Sequence, residues 1–452
     1  MEFKSINPYN NQQVGNYTAL TEVELDKKLS KSQKAFTTWR NVPIAERCAL
    51  IKKAGQILRN HVEEYAKMIT LEMGKPIAES RAEVNKCAWV CDYYADNGET
   101  FLANEIIATD AAQSFVKHDP IGAVLAIMPW NFPFWQVFRF AAPTLIAGNT
   151  GLLKHAPNVF GSAKLIEEVF TKAGVPDGVF QNLIVHHEQT EKIIAHTAVQ
   201  AVTLTGSERA GSAVAEIAGK HIKKSLLELG GNNAFIVWDD ADIDAAVKTA
   251  VVARMLNCGQ SCIAAKRFIL IERIYDEFVT KFTQAVRALN AGNPLDEDTK
   301  VGPLARKDLA DQLQKQVKES VKLGAELLLG GHQKDCYHEP TILGNVTPGM
   351  PAFDQETFGP LAAMIKAKDI EHAFALSEQS TYGLGVTVFT KNIKKAISYA
   401  DKVSDGAYFI NELVKSDPRL PFGGTKKSGY GRELSKDGIL EFVNRKTIYV
   451  KN

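Results

Sequence analysis

Five short apolar runs decide the fold: GAVLAIM at 122–128, GLLKH at 151–155, VFQNLIV at 179–185, AVTLT at 201–205 and KKSLLEL at 223–229. Between them lie segments of helical periodicity that open near Phe134, Val159, Glu188 and Arg209. Strand and helix alternating in this way predict an open parallel sheet with helices on both faces. A second alternating set starts at GGNNAFIVWDDADI, residues 230–243, where a strand and an Asp-capped helix begin again, and it runs to about Gly423.

Toward the N-terminus, Glu22 to about Asn104 reads as helical. Ile44, Leu50, Ile51, Ile57, Leu58, Tyr65, Ile69 and Leu71 fall near one stripe, and Gly74 closes it. Around Gln113 the pattern turns β-rich, with Pro120 and Gly122 dividing a possible hairpin arm from the first buried strand. The tail LEFVNRKTIYVKN, residues 440–452, alternates apolar and polar like a strand and needs a partner. The arm near 113–121 is the candidate, in the same chain or a neighbouring one.

The chain of 452 residues is 45% hydrophobic and 23% charged, ordinary values that exclude a disordered, fibrous or disulfide-scaffold protein. At roughly 100–200 residues per domain, such a length implies two to four units. Lys plus Arg number 53 and Asp plus Glu 52, so no global field draws the protein to nucleic acid or anionic lipid. Six cysteines without a CxxC pair suit a reducing compartment. No apolar run approaches the roughly 18 residues of a membrane span, and no signal-peptide pattern opens the sequence. The expectation is a soluble cytoplasmic protein.

Four segments carry candidate chemistry, each with a plainer reading beside it. Cys262, in NCGQSCIAAKRF, is a nucleophile or an inert buried thiol. Glu228 ends an apolar strand at a Gly-Gly bend, on the sheet edge where open α/β folds hold ligands; it is a general base or a paired structural carboxylate. Gly206, Ser207 and Gly211 stand between a strand and a helix, as a phosphate seat or an ordinary turn with Ser207 as the helix cap. Asn131, Trp135 and Arg139, spaced by four in PWNFPFWQVFR, tend to one helix face. Arg139 stands among apolar neighbours and requires an anion, either a structural Asp or Glu or a substrate carboxylate. Metal-ligand spacing and a GxSxG elbow are both missing.

PWNFP at 129–133, LLK at 152–154, TGS at 205–207, ELGG at 228–231, GQSC at 259–262, ETFGP at 356–360 and PFGGTKKSGYGRE at 421–433 resemble the aldehyde dehydrogenase superfamily in order and spacing. The short length and the segments LLKHAPN and MGKPIAESRAEV resemble most the compact bacterial succinate-semialdehyde dehydrogenases. The resemblance implies an α/β fold with a Rossmann-like cofactor domain at 1–104 and 122–229 and a catalytic domain at 230–423. It also implies a β oligomerisation arm and tail at 105–121 and 424–452, completing a sheet across subunits of a homodimer or homotetramer.

The same resemblance makes Cys262 the nucleophile, Glu228 the general base and Asn131 an oxyanion donor. It assigns Trp130, Lys154, Thr205, Gly206, Ser207, Leu229, Glu356 and Phe358 to NAD or NADP. The acidic residue that NAD-preferring members carry three positions after this lysine is replaced by Pro157, so NADP is expected to be accepted along with NAD. Trp135, Arg139, Ser416 and Phe422 are the implied substrate residues, with Arg139 binding a distal carboxylate. Some members place a second arginine where Leu256 stands, so the carboxylate clamp is incomplete and medium-chain aldehydes compete. Transfer of the thioester to coenzyme A, and a non-catalytic structural role, are the rival readings. The retained Cys262, Glu228 and Asn131 disfavour the second.

Overall fold

The computed structural model describes residues 2–451. It opens with an antiparallel hairpin, Glu2–Ile6 against Gln13–Thr18, which the sequence pattern does not announce. Four helices follow, Glu22–Trp39, Ile44–Asn60, Val62–Met73 and Ile77–Phe101, as the apolar stripe predicts. Gly74 ends the third in the left-handed conformation, at φ +78°.

The first sheet has six strands, in the order Gly429–Tyr430, Lys224–Glu228, Val199–Thr205, Ala123–Met128, Thr150–His155 and Phe180–Asn182. All neighbours are parallel except the short first strand, which runs antiparallel to Lys224–Glu228. Both faces are covered, which explains the unbroken apolar runs of the sequence. Val124 and Ala126 pack toward the Ile44–Asn60, Ile77–Phe101 and Trp135–Ile146 helices, whereas Ala123 and Leu125 pack with Leu25, Leu29 and Val214 on the other face.

The second sheet has seven strands, in the order Glu326–Leu329, Thr341–Gly344, Leu361–Ala367, Ala265–Ile271, Asn233–Val237, Val386–Phe389 and Tyr408–Ile410. Only the first is antiparallel to its neighbour. The tail strand Val443–Val450 pairs antiparallel with the arm strand Gln113–Pro120 of the same chain, from Val443 opposite Pro120 to Val450 opposite Gln113. The segment between Gly423 and that tail strand belongs elsewhere: 429–430 joins the first sheet, and Leu434, Ile439 and Phe442 are buried in the core beneath it. No helix among the described residues is long and apolar enough to cross a membrane.

This architecture sets the site. Glu228 is delivered by the carboxyl end of a first-sheet strand, and Cys262 by the loop that enters the second-sheet strand Ala265–Ile271.

Candidate active site

The loop carrying Cys262 leaves the helix Ile243–Met255 through three consecutive residues in left-handed backbone, Asn257 at φ +54°, Cys258 at +53° and Gly259 at +73°. Non-glycine residues adopt this conformation at a cost of roughly 1–2 kcal/mol each, so the surroundings must hold it. Glu79 accepts the Asn257 backbone N–H at 2.7 Å, and buried Arg254 donates to the carbonyls of Gly259 and Gly359, both at 2.7 Å. Gly259 is irreplaceable, because a Cβ there would lie 2.3 Å from the Gly359 carbonyl oxygen. The Cys262 carbonyl accepts from Asn233 Nδ2 at 2.6 Å and from Lys266 Nζ at 2.8 Å. Gly231 lets the ELGG bend pass beside it, since a Cβ there would stand 2.7 Å from that oxygen.

All six cysteines are free thiols, and Cys262 is the most exposed of them, half-buried where the other five are buried. Cys258 is occupied by Gly302, whose N–H it accepts at 3.1 Å. Burial pushes the Cys262 thiol up to about 11, against the opposing pull of Lys266 and Arg139, with Glu356 and Glu228 adding to the rise. The resting sulfur is therefore protonated at neutral pH. Asn131 faces the same loop: its Nδ2 donates to the Gln260 carbonyl at 3.0 Å, and its own carbonyl accepts Asn257 Nδ2 at 2.7 Å.

Glu228 is buried, and its Oε1 has no hydrogen-bond partner. A Cβ on Gly423 would lie 2.9 Å from that oxygen, so the carboxyl group faces the PFGG segment. Burial raises its proton affinity, Glu433 raises it further, and Arg139 and Arg432 oppose both. The carboxyl group lines neither of the two cavities that meet at Cys262.

The larger cavity, about 1050 Å³, contains Trp130, Asn131, Thr205, Gly206, Ser207, Leu229, Cys262, Glu356 and Phe358 in its wall. Its donor set suits a dinucleotide. The helix Glu208–Lys220 opens onto it, and the N–H groups of Glu208 and Arg209, which have no partners within the helix, are free to face a phosphate. Around Gly206 the backbone is open, since a Cβ there would meet only Leu204, at 3.5 Å. Ser207 caps this helix, accepting Ala210 N–H at 3.3 Å, as the plainer reading of the TGS turn expects. Trp130 and Phe358 meet edge to face, 5.8 Å between ring centres. Glu356 accepts Gly231 N–H at 3.0 Å and Lys266 Nζ at 3.3 Å, which ties the cleft to the support of Cys262. Lys154 stands apart, half-buried at the carboxyl end of Thr150–His155, where burial lowers its proton affinity.

The smaller cavity, about 170 Å³, also reaches Cys262 and is lined by Trp135, Arg139, Ser416 and Phe422. The anion that Arg139 requires is present within the chain. Its Nε lies 2.5 Å from Glu433 Oε2, its Nη2 donates to Thr205 Oγ1 at 3.4 Å, and its guanidinium stacks 4.8 Å from the Phe422 ring centre. Of the two anions considered for this arginine, the structural carboxylate is the one the fold supplies.

Sequence reasoning missed Lys86, Glu79, Lys266, Arg254 and Glu433. Glu79, Ala82, Glu83 and Lys86 repeat at helical spacing on Ile77–Phe101, and all four line the small cavity. A charged stripe of that kind reads as a solvated face, and only its tertiary partners mark it otherwise. Glu433 ends the quoted motif PFGGTKKSGYGRE, which signals a position without a role.

With this geometry in hand, the likeness to known proteins is specific. The pattern of the aldehyde dehydrogenase family matches residues 1–448. A probable succinate-semialdehyde dehydrogenase [NADP(+)] of Synechocystis is 48% identical over 453 residues, covering all of both chains. The succinate semialdehyde dehydrogenase [NAD(P)+] Sad of Escherichia coli is 46% identical over 448 residues, covering 98% of this chain and 97% of its own. The crystal structure of succinic semialdehyde dehydrogenase from Streptococcus pyogenes in complex with NADP+ superposes with a TM-score of 0.97 at 39% identity, covering the whole of each chain. The α/β architecture is thus that of a known group of enzymes, and the chain belongs to the aldehyde dehydrogenase family.

Proposed function

We propose that this aldehyde dehydrogenase oxidises succinate semialdehyde to succinate with NADP or NAD. One observation carries the reading: a single accessible thiol, Cys262, is shared by a wide cleft suited to a dinucleotide and a small pocket suited to a short aldehyde. The names of the relatives from Synechocystis and Escherichia coli support the substrate and the cofactor.

In the reaction, the Cys262 thiol gives its proton to water, the thiolate adds to the aldehyde carbon, and Asn131 Nδ2 with the Cys262 backbone N–H receives the oxyanion. The nicotinamide cofactor supplies the hydride acceptor, and Gly206, Ser207, Trp130, Leu229, Thr205, Phe358, Glu356 and Lys154 are the residues assigned to hold it. Loss of hydride from the tetrahedral carbon leaves a thioester on Sγ. Glu228 turns from Gly423 toward the sulfur and takes a proton from water. The water oxygen attacks the thioester carbon, Sγ leaves, and the carboxylate is released. The raised proton affinity of Glu228 suits a base that must hold and then return a proton. The residues of the arm and tail sheet leave Ile106 and Tyr449 exposed, which suits assembly into a homodimer or homotetramer. Free thiols suit the cytoplasm.

Reduced-cofactor formation with succinate semialdehyde and with butanal, each with NADP and with NAD, tests the proposal. A preference of about tenfold or more in kcat/KM for the carboxylated aldehyde, roughly 1.4 kcal/mol, is expected, with both cofactors within about a hundredfold of each other. Equal rates for the two aldehydes would withdraw the substrate. Formation of an acyl-coenzyme A on adding the thiol would favour the acyl-transfer reading instead.

A further inference from the structure

Lys266 stands in the strand Ala265–Ile271, just beyond the Cys262 loop, and its side chain is fully buried. It lines neither cavity. A buried ammonium is costly unless its donors are engaged, and here they meet the Ser261 carbonyl at 2.9 Å, the Cys262 carbonyl at 2.8 Å and Glu356 Oε1 at 3.3 Å. The Cys262 carbonyl has a second donor in Asn233, whereas the Ser261 carbonyl has besides Lys266 only the Ala264 N–H, at 3.2 Å. The peptide bond that joins Ser261 to Cys262 is trans, so its N–H points opposite its carbonyl. With that carbonyl turned inward to Lys266, the Cys262 N–H is turned away from the ammonium, and among the described residues no acceptor takes it. An unpaired N–H beside the sulfur is free for an oxygen of a bound molecule. The charged groups that face Cys262 are Lys266 and Arg139, opposed by Glu356 and Glu228, and Lys266 exerts the strongest pull among them.

Resting on the reading of Cys262 as the nucleophile, we infer that Lys266 is a positioning residue for the reaction: it holds the Ser261 carbonyl so that the Cys262 N–H stays aimed at the aldehyde oxygen, and it sets a positive charge behind the loop that favours the thiolate. Glu356, which follows the short helix Pro351–Asp354 and lines the wide cleft, balances that charge. Burial lowers the Lys266 ammonium to about 8, against the pull of Glu356 and with Arg254 adding to the effect, so most of it is charged at pH 7. Loss of the lysine therefore pushes the thiol further up, and loss of Glu356 brings it down.

The test is alkylation of Cys262 by iodoacetamide from pH 7 to 10, read by peptide mass spectrometry without cofactor, beside kcat with succinate semialdehyde. Wild type, Lys266→Met, Lys266→Arg and Glu356→Gln are compared, with thermal melting of each. Lys266→Met keeps the apolar stem and removes the charge. It is expected to slow alkylation at pH 7 about tenfold, moving the profile up by about one pH unit, and to lower kcat about thirtyfold. Lys266→Arg is expected to return the alkylation rate to within about threefold of wild type, and Glu356→Gln to raise it about threefold. A Lys266→Met profile that coincides with that of wild type, even with a lower melting temperature, would make the lysine a mere brace of the fold and overturn the inference, leaving Cys262 as the nucleophile. Turnover retained in Cys262→Ala would overturn both. Should Lys266→Met not fold, Lys266→Gln and Glu356→Gln carry the same measurement, with opposite signs expected, and shifts of the same sign would overturn the inference.

Discussion

On one side of Cys262, the cleft of about 1050 Å³ is walled by strand ends, a helix N-terminus and glycine turns; on the other, the pocket of about 170 Å³ is walled by long side chains from distant segments. In the first, the strand-end and glycine-turn portion of the wall is backbone, and that portion stays together in sequence as short motifs. The second recognises through charge and rings brought in from the helix Ile77–Phe101, the helix Trp135–Ile146 and the loop around Ser416. A cofactor common to many reactions fits the first kind of wall, and a substrate that must be distinguished from its neutral analogue fits the second.

Breaking the ion pair of the small pocket gives the largest expected effect. Arg139→Met leaves Glu433 buried without its cation, and removing one partner of such a pair costs about 3–5 kcal/mol. Denaturant unfolding of Arg139→Met and of the double variant Arg139→Met/Glu433→Leu measures it: the single variant is expected to lose most stability and the double variant to recover a large part. Both aldehydes should suffer together in the single variant. A stable Arg139→Met enzyme that loses only the carboxylated substrate would return the recognition role to this arginine.

Next comes the shared thiol. With Cys262 raised to about 11, its reactive thiolate grows about tenfold for each pH unit from 7 to 10, and the rate of alkylation by iodoacetamide should climb accordingly. Cys258, buried and bonded to Gly302, should stay unlabelled in the folded protein. A rate that is flat from pH 7 upward would mean that the thiol is already ionised at rest.

The smallest effect belongs to the wide cleft. A carboxylate introduced by Pro157→Glu, three residues after Lys154, should lower the NADP-to-NAD ratio of kcat/KM by about tenfold, roughly 1.4 kcal/mol. An unchanged ratio would remove Lys154 and its neighbourhood from cofactor choice.

The same contrast governs what could be read in advance. The alternating strands, the Gly74 helix stop and the ELGG and GQSC bends are local patterns, and the structure realises each of them. The pairing of the tail with the arm was legible because two lone strands need each other. The contact of Lys86 with Ser416 was not, since 330 positions separate the two and helical spacing made the lysine look solvated. Nor was the N-terminal hairpin, whose first strand buries only Ser5, the donor at 2.7 Å to buried Glu72; one small polar residue gives no apolar alternation to recognise. Glu228 shows a further limit. Its position at a strand end follows from sequence, but the direction of its carboxyl group depends on the space beside Gly423.

The central claim is that Cys262 carries the acyl group and Glu228 removes it, and intact-protein and peptide mass spectrometry of Glu228→Gln after one turnover with succinate semialdehyde and NADP tests it most directly. The account predicts one succinyl group retained on the peptide containing Cys262, formed with about one equivalent of reduced cofactor per active site and slow to hydrolyse. Steady turnover with no retained acyl group, or an adduct on Cys258 instead, would contradict it.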